Sequence, residues 1–174
     1  MTSIVKTYKQ SVPKMRFIGK KYGNEDRVDG MYGYHWGKWF ENGWFERIEE
    51  AAGKHKELYQ DGDAYIGLMK SAEGQPFEYW IGMFVSPDIQ APDGFEYLDF
   101  EEGNLGVSWI KGPESEVYCK EEECMNKMTE QGMELTSDGK AGNPLWFFER
   151  YSCPRFTTPD INGDIILDIC TFVK

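Results

Sequence analysis

Short apolar stretches, most of them alternating with polar residues, are separated along the chain by turns rich in glycine, proline and aspartate. Such stretches, about four to eight residues long, are typical of β-strands. The pattern predicts seven strands, at positions 14–22, 63–70, 77–85, 95–100, 103–111, 143–151 and 164–173.

Residues 36–52 instead show the spacing of an amphipathic helix. One broad face of this helix would carry Trp36, Phe40, Trp44, Ile48 and Ala52. Gly53 follows directly and is a plausible end of the helix. Trp39 falls outside the apolar face, so we expect it to pack on another element or to line a cleft.

A second helix is predicted to begin near Gly112 and Pro113, because proline is favoured in the first turn of a helix. Val117, Cys124 and Met128 share one face, and Gly132 can end the helix.

The order strand, helix, strand, strand occurs twice, at about 14–85 and again at 103–173, with a linking strand at 95–101. The whole chain, 1–174, is therefore predicted to be one α+β domain of two pseudo-repeated βαββ units. Two such units can merge into one antiparallel sheet with two helices on one face. The groove between the helices would be a natural ligand site.

The chain carries a formal net charge of -11, and its basic residues are scattered. Nucleic acids are polyanions that need a basic footprint, so we expect no direct nucleic-acid binding. The acidity is explained most simply by solubility, and attraction of cations to the surface is the alternative. No apolar run is long enough for a membrane span or a signal peptide, which favours the cytoplasm.

Four cysteines, at 119, 124, 153 and 170, include no Cys-x-x-Cys pair, and the two histidines, His35 and His55, form no cluster. A disulfide framework or a zinc site is therefore not expected. We expect no metal and no other cofactor.

The strand at 143–151 contains the main candidate for a functional residue, Glu149. Side chains alternate between the two faces of a strand, so Leu145, Phe147, Glu149 and Tyr151 share one face. An ionised carboxylate on such an apolar wall is costly unless it is paired or hydrogen-bonded, or takes up a proton. A bound cation would relieve this cost, and aromatic faces attract cations as well. The structural alternative is an internal ion pair or a position open to water.

Several motifs resemble those of the GyrI-like small-molecule-binding domains, also known as the effector-binding domains of multidrug-sensing AraC/MerR-type transcription regulators. The strand after the second helix carries Phe-Glu-x-Tyr at 148–151. An aromatic strand followed by glycine lies at 77–82, a Pro-Asp-Gly-Phe-Glu turn at 92–96, and a Gly-x-x-x-Val strand at 103–107. Their order and spacing extend over nearly the whole chain, from about Met15 to Lys174.

The resemblance implies two βαββ units about a pseudo-twofold axis, a small organic ligand, and Glu149 as the binding carboxylate with Tyr151 beside it. Aromatic residues would form the other walls of the site, for which the candidates are Phe147, Trp36, Trp39, Tyr65, Tyr79, Trp109 and Tyr118. For any single one of these aromatic residues, plain core packing is the competing interpretation.

Three functions are compatible with this resemblance. The first is a stand-alone protein that binds a hydrophobic, drug-like and possibly cationic compound; many relatives carry a helix-turn-helix module, for which we expect no room here. The second is a hydrolase of cyclopropane-bearing electrophiles, with Glu149 as general base on a water and Tyr151 or a tryptophan N–H holding the water or substrate. The third is interaction with a protein partner, as in a gyrase inhibitor, although no local feature supports it.

Overall fold

A computed structural model describes residues 1–53 and 58–174, so His55 lies outside the described residues. Within these two ranges, eight strands form a single antiparallel sheet. They are β1 (Ser3–Val12), β2 (Met15–Tyr22), β3 (Tyr65–Ser71), β4 (Glu78–Val85), β5 (Glu96–Phe100), β6 (Gly103–Pro113), β7 (Leu145–Tyr151) and β8 (Asp164–Val173). In the described part of the chain three α-helices accompany the sheet, namely α1 (Gly33–Glu41), α2 (Trp44–Ala51) and α3 (Glu121–Glu130).

The strand order is β1-β6-β8-β7-β3-β4-β2-β5, with β3 and β7 paired at the centre. From the centre outward, β3, β4 and β2 of the first half match β7, β8 and β6 of the second. Each half then ends in one edge strand, β5 or β1. The predicted α+β class and antiparallel sheet are confirmed.

The edge strand β1 was not predicted from the sequence. Its ten residues are mostly polar and half-buried or exposed, because it pairs on one side only, with β6. An edge strand of this kind has no clear apolar face. The strand is identified instead by its pairing with β6, which runs from Ser3 opposite Lys111 to Val12 opposite Gly103.

The predicted helix at 36–52 is wrong as a single element, because it is two helices separated at Asn42 and Gly43. Gly43 has a φ of 64°, in the left-handed region, which ends α1 and redirects the chain into α2. The break changes which residues face inward: Trp39 is buried, whereas Phe40 is 57% exposed.

The second helix begins later than predicted. Pro113 is the last residue of β6, a 3-10 turn follows at Glu114–Glu116, and α3 starts at Glu121. Proline ends the strand here because it has no N–H to donate to a ladder. The predicted helix end near Gly132 is close to the observed last residue, Glu130.

The helices lie on one face of the sheet. A β-carbon on Gly106 of β6 would meet the sulfur of Met128 on α3 at 2.7 Å, so α3 packs tightly on the second half. Phe45 and Ile48 of α2 belong to the core cluster that covers the first half. The opposite face has a core of its own, which includes Phe17, Trp80, Phe84 and Phe148. Among the described residues, no helix has the length and apolarity needed to cross a bilayer.

Candidate ligand-binding site

A cavity of about 680 Å³ opens between the helices, with the central strands as its floor. This volume lies within the range of about 300–1,000 Å³ that is usual for small-molecule sites. Its lining is mainly aromatic. Besides Gly30, Gly33 and Thr157, the lining residues are Arg27, Met31, Tyr32, Trp36, Phe40, Tyr65, Met69, Phe77, Tyr79, Glu114, Tyr118, Cys119, Glu121, Phe147, Glu149, Tyr151 and Phe156.

Glu149 lies at the floor of this cavity and is 6% exposed. Alternation along β7 places it on the helix-covered face, directly opposite Gly67 of β3. The hydroxyl of Tyr79, from β4, donates a hydrogen bond of 3.0 Å to Glu149 Oε1. The indole Nε1 of Trp36, from α1, donates in turn to the Tyr79 hydroxyl at 2.9 Å. A helix and two strands therefore meet at one carboxyl group.

Burial, with a smaller contribution from the negative charge of Glu121, raises the pKa of Glu149 to about 7. The hydroxyls of Tyr79 and Tyr151 act against this rise, because both stabilise the ionised form. Burial and the neighbouring Glu149 also raise the pKa values of Tyr79 and Tyr151 well above the ordinary value. Both tyrosines are therefore neutral hydrogen-bond donors at physiological pH.

Aromatic rings near the carboxyl group pack against one another. Tyr32 lies parallel to Tyr79, with ring centroids 4.2 Å apart and planes within 5°. Tyr151 meets Trp36 edge to face at 4.9 Å and Phe156 at 4.7 Å. Such contacts fix the rings, and a fixed ring presents a preformed surface to a flat or aromatic ligand.

Seven of the nine residues predicted for the site line the cavity, namely Trp36, Tyr65, Tyr79, Tyr118, Phe147, Glu149 and Tyr151. Trp39 does not. It is fully buried in the core beneath α1, where its Nε1 donates to the hydroxyl of Tyr22 at 2.9 Å.

Trp109 is also absent from the cavity, because it lies on the opposite face of the sheet. It pairs across the ladder with Asp168 of β8, and its ring packs against Tyr8. Lys6 Nζ and the guanidinium of Arg155 lie 4.6 and 4.4 Å from its ring centroid. Trp109 therefore belongs to the packing of that face.

Sequence reasoning missed the loop residues and the second-half carboxylates that complete the cavity, among them Tyr32, Glu114 and Glu121. Tyr32 follows a two-residue turn at Asp29 and Gly30, both with positive φ, which folds the chain back over the cavity. The Asp-Gly pair is a readable turn signal, but no periodicity shows which side chain after it points inward.

The charges around the cavity are uneven. Within the described part of the chain, Glu149, Glu114 and Glu121 form no ion pair. Arg27 also lines the cavity, but its guanidinium lies 4.8 Å from the Tyr32 ring centroid and donates to the carbonyl of Gly30, and it forms no ion pair with these carboxylates. The excess of carboxylates makes the cavity attractive to a cation.

No protein-family model and no curated protein matches the chain. Solved structures do. SAV2435 bound to tetraphenylphosphonium superimposes with a TM-score of 0.64 at 16% identity, over 98% of this chain and 94% of that one. The C-terminal domain of EcmrR gives 0.57 at 12% identity, over 97% of both chains.

A hydrolase from Listeria innocua gives a TM-score of 0.52 at 15% identity, over 97% of this chain and 92% of that one. Identities this low establish the fold alone. Together with the paired βαββ halves and the cavity between their helices, these similarities show that the chain has the fold of the GyrI-like small-molecule-binding domains.

Proposed function

We propose that this protein binds a hydrophobic organic cation in the cavity above the central strands. The observation that carries the proposal is Glu149, a buried carboxyl group at the floor of an aromatic cavity, with no cationic partner among the described residues. A carboxylate in such a place is destabilised unless a counter-charge arrives. A ligand cation would supply that charge.

The walls suit the rest of such a ligand. Trp and Tyr rings attract a cation through their electron-rich faces, and their apolar area favours aromatic substituents. Tyr79 donates directly to the carboxyl group, Trp36 donates to Tyr79, and the ring of Tyr151 meets that of Trp36 edge to face. Glu114 and Glu121 add negative charge at the cavity wall, which favours the approach of a cation.

SAV2435 supports this ligand class, because the compound in that structure, tetraphenylphosphonium, is a hydrophobic organic cation. The experiment is calorimetric titration of tetraphenylphosphonium into the native protein and into the Glu149→Gln variant at pH 8. We expect saturable binding by the native protein and at least about tenfold weaker binding by the variant, as for the loss of a buried charge pair. Absence of binding by the native protein, or equal binding by both, would contradict the proposal.

A second candidate function is hydrolysis of an electrophilic ring compound, with Glu149 as general base. The observation in its favour is the pKa of Glu149, which burial raises to about 7 and thus close to the value that suits a base at neutral pH. The similarity to a structure described as a hydrolase adds to it. The Trp36 and Trp39 N–H groups already donate to tyrosine hydroxyls, so Tyr151 is the better group to hold a substrate.

The hydrolase function is tested by measuring whether the native protein turns over a cyclopropane-bearing alkylating agent. The Glu149→Gln variant keeps the shape of the side chain and removes the base. Full activity in the variant, or no activity in the native protein, would exclude Glu149 as a catalytic base.

A further inference from the structure

Gly67 lies near the middle of β3, opposite Glu149 on β7 and beside Ile81 on β4. A β-carbon at this position would lie 2.5 Å from the hydroxyl oxygen of Tyr79 and 2.9 Å from Glu149 Oε1. Both distances are far inside ordinary van der Waals contact. These two oxygens are the two ends of the Tyr79–Glu149 hydrogen bond. The bond therefore passes directly over the bare Cα of Gly67.

Neither end of this bond can move aside without losing other contacts. The Tyr79 ring is held by its parallel stack on Tyr32, and its hydroxyl also accepts the N–H of Trp36. Glu149 is buried on the same floor. A side chain at position 67 would push one or both groups up into the cavity.

Backbone conformation does not explain the glycine. Gly67 is not among the residues with positive φ, and it pairs regularly with strands on both sides. A glycine inside a regular strand costs stability, and its usual justification is the close approach of another group. Here that group is the hydrogen-bonded pair of oxygens.

We infer that Gly67 is a positioning residue of the binding site: its missing side chain lets Tyr79 and Glu149 meet across the floor and fixes the depth at which a ligand's charge is held. This inference rests on the proposed function for its consequence in binding. Its structural part, the placement of the Glu149 carboxyl group, can be measured without any ligand.

The experiment compares Gly67→Ala with a matched strand glycine, Gly103→Ala, because a β-carbon on Gly103 meets no atom within 4 Å. A third and a fourth variant, Tyr79→Phe alone and with Gly67→Ala, remove the hydroxyl that the new methyl group would meet. Each protein is titrated with tetraphenylphosphonium. The Glu149 carboxyl carbon is followed against pH by NMR and is assigned by its disappearance in Glu149→Gln.

Gly67→Ala is expected to weaken tetraphenylphosphonium binding about tenfold, the scale of one charge-assisted hydrogen bond. It should also move the Glu149 titration to higher pH, because the Tyr79 hydroxyl no longer stabilises the ionised form. In the Tyr79→Phe background, the same substitution should change affinity by less than about threefold and move the titration less, since the closest contact and the hydrogen bond that it disrupts are both absent and the contact with Glu149 Oε1 at 2.9 Å remains. Gly103→Ala should match the native protein.

An unchanged Glu149 titration in Gly67→Ala would overturn the inference, and so would effects of Gly67→Ala and Tyr79→Phe that simply add. If Gly67→Ala alone does not fold, the double variant decides: a folded double variant supports the inference, and an unfolded one contradicts it. If the native protein does not bind tetraphenylphosphonium, the proposed function fails, while the NMR titration still decides the role of Gly67.

Discussion

The indole N–H of Trp36 donates to the hydroxyl of Tyr79 at 2.9 Å, and this contact joins α1 to the carboxyl group on the cavity floor. Because the tyrosine oxygen accepts from Trp36, its own proton is directed toward Glu149. The helix therefore contributes to the site through the orientation of a hydroxyl as well as through its aromatic surface. Trp39, one turn further along α1, makes a similar bond to Tyr22 but lies in the core.

Because Trp36 lines the cavity and Trp39 lies in the core, the same substitution should mainly affect ligand binding at one position and stability at the other. Trp36→Phe removes the donor to Tyr79 and should weaken tetraphenylphosphonium binding about threefold to tenfold with a small effect on stability. Trp39→Phe removes fully buried volume and should lower the free energy of unfolding by about 1–3 kcal/mol while leaving binding to the folded protein unchanged. Calorimetry and urea unfolding measure the two effects. If both variants lose stability and affinity in the same proportion, the distinction is incorrect.

Glu149→Gln should change stability in a pH-dependent way. The folded protein holds the pKa of this carboxyl group at about 7, above its ordinary value of 4.5. As the pH rises from about 4.5 to 7, the unfolded chain loses this proton while the folded chain keeps it, so Glu149 makes the native protein progressively less stable. At 1.36 kcal/mol for each unit of pKa, the difference reaches on the order of 3 kcal/mol above pH 7.

The variant is therefore expected to be more stable than the native protein at pH 8 and equally stable at pH 4. Urea unfolding at several pH values measures this, with Glu122→Gln, an exposed position on α3, as the control. A stability difference that does not vary with pH would show that Glu149 is not held protonated by burial.

The sequence predicts the inner strands of the sheet because each of them carries its own apolar pattern. Glu149 stands out for the same reason, as an acid in line with Phe147 and Tyr151. The strand β1 lacks such a pattern, and its place is determined by hydrogen bonds to β6. The residues of β1 themselves do not indicate that the strand pairs with β6, about a hundred residues further along the chain.

Trp109 shows where the prediction of the site ends. Alternation along β6 divides its residues into two sets but does not say which set faces the helices. The register with β8, where Trp109 is opposite Asp168 and Ile110 is opposite Leu167, decides it. Tyr32 could not be predicted for a different reason. It lies outside the strands, at the start of α1, where the spacing of apolar residues does not show which side chain points inward.

The face of the sheet opposite the cavity depends on a buried ion pair. Arg150 Nε donates to Asp168 Oδ2 at 2.8 Å, both side chains are 0% exposed, and Gln10 accepts a further bond from Arg150. Asp168→Asn would leave the buried arginine charge with only the more distant carboxylate of Asp61, 3.8 Å away, so it should lower the free energy of unfolding by about 3–5 kcal/mol.

Urea unfolding measures the loss, and Glu130→Gln on the exposed Lys127–Glu130 pair is the control, with an expected effect below about 0.5 kcal/mol. Because Arg150 and Glu149 point to opposite faces of β7, the folded Asp168→Asn protein should bind tetraphenylphosphonium normally. A variant as stable as the control would show that the carboxylate of Asp61, which lies 3.8 Å from Arg150 and also accepts from Arg155, compensates for the lost charge.

Binding of a cation should release a proton from Glu149. At pH 6 the carboxyl group is mostly protonated, because burial raises its pKa to about 7, whereas a cation favours the ionised form. Affinity for tetraphenylphosphonium should therefore rise with pH up to about 7 and then level off. Below the plateau, each pH unit should change affinity by up to about tenfold.

Calorimetry at pH 6 in two buffers of different ionisation enthalpy counts the protons released, with close to one expected per cation. Glu149→Gln should release none, and a neutral ligand such as triphenylphosphine oxide should show no such pH dependence. Equal proton release by the native protein and the variant would show that the released proton does not come from Glu149.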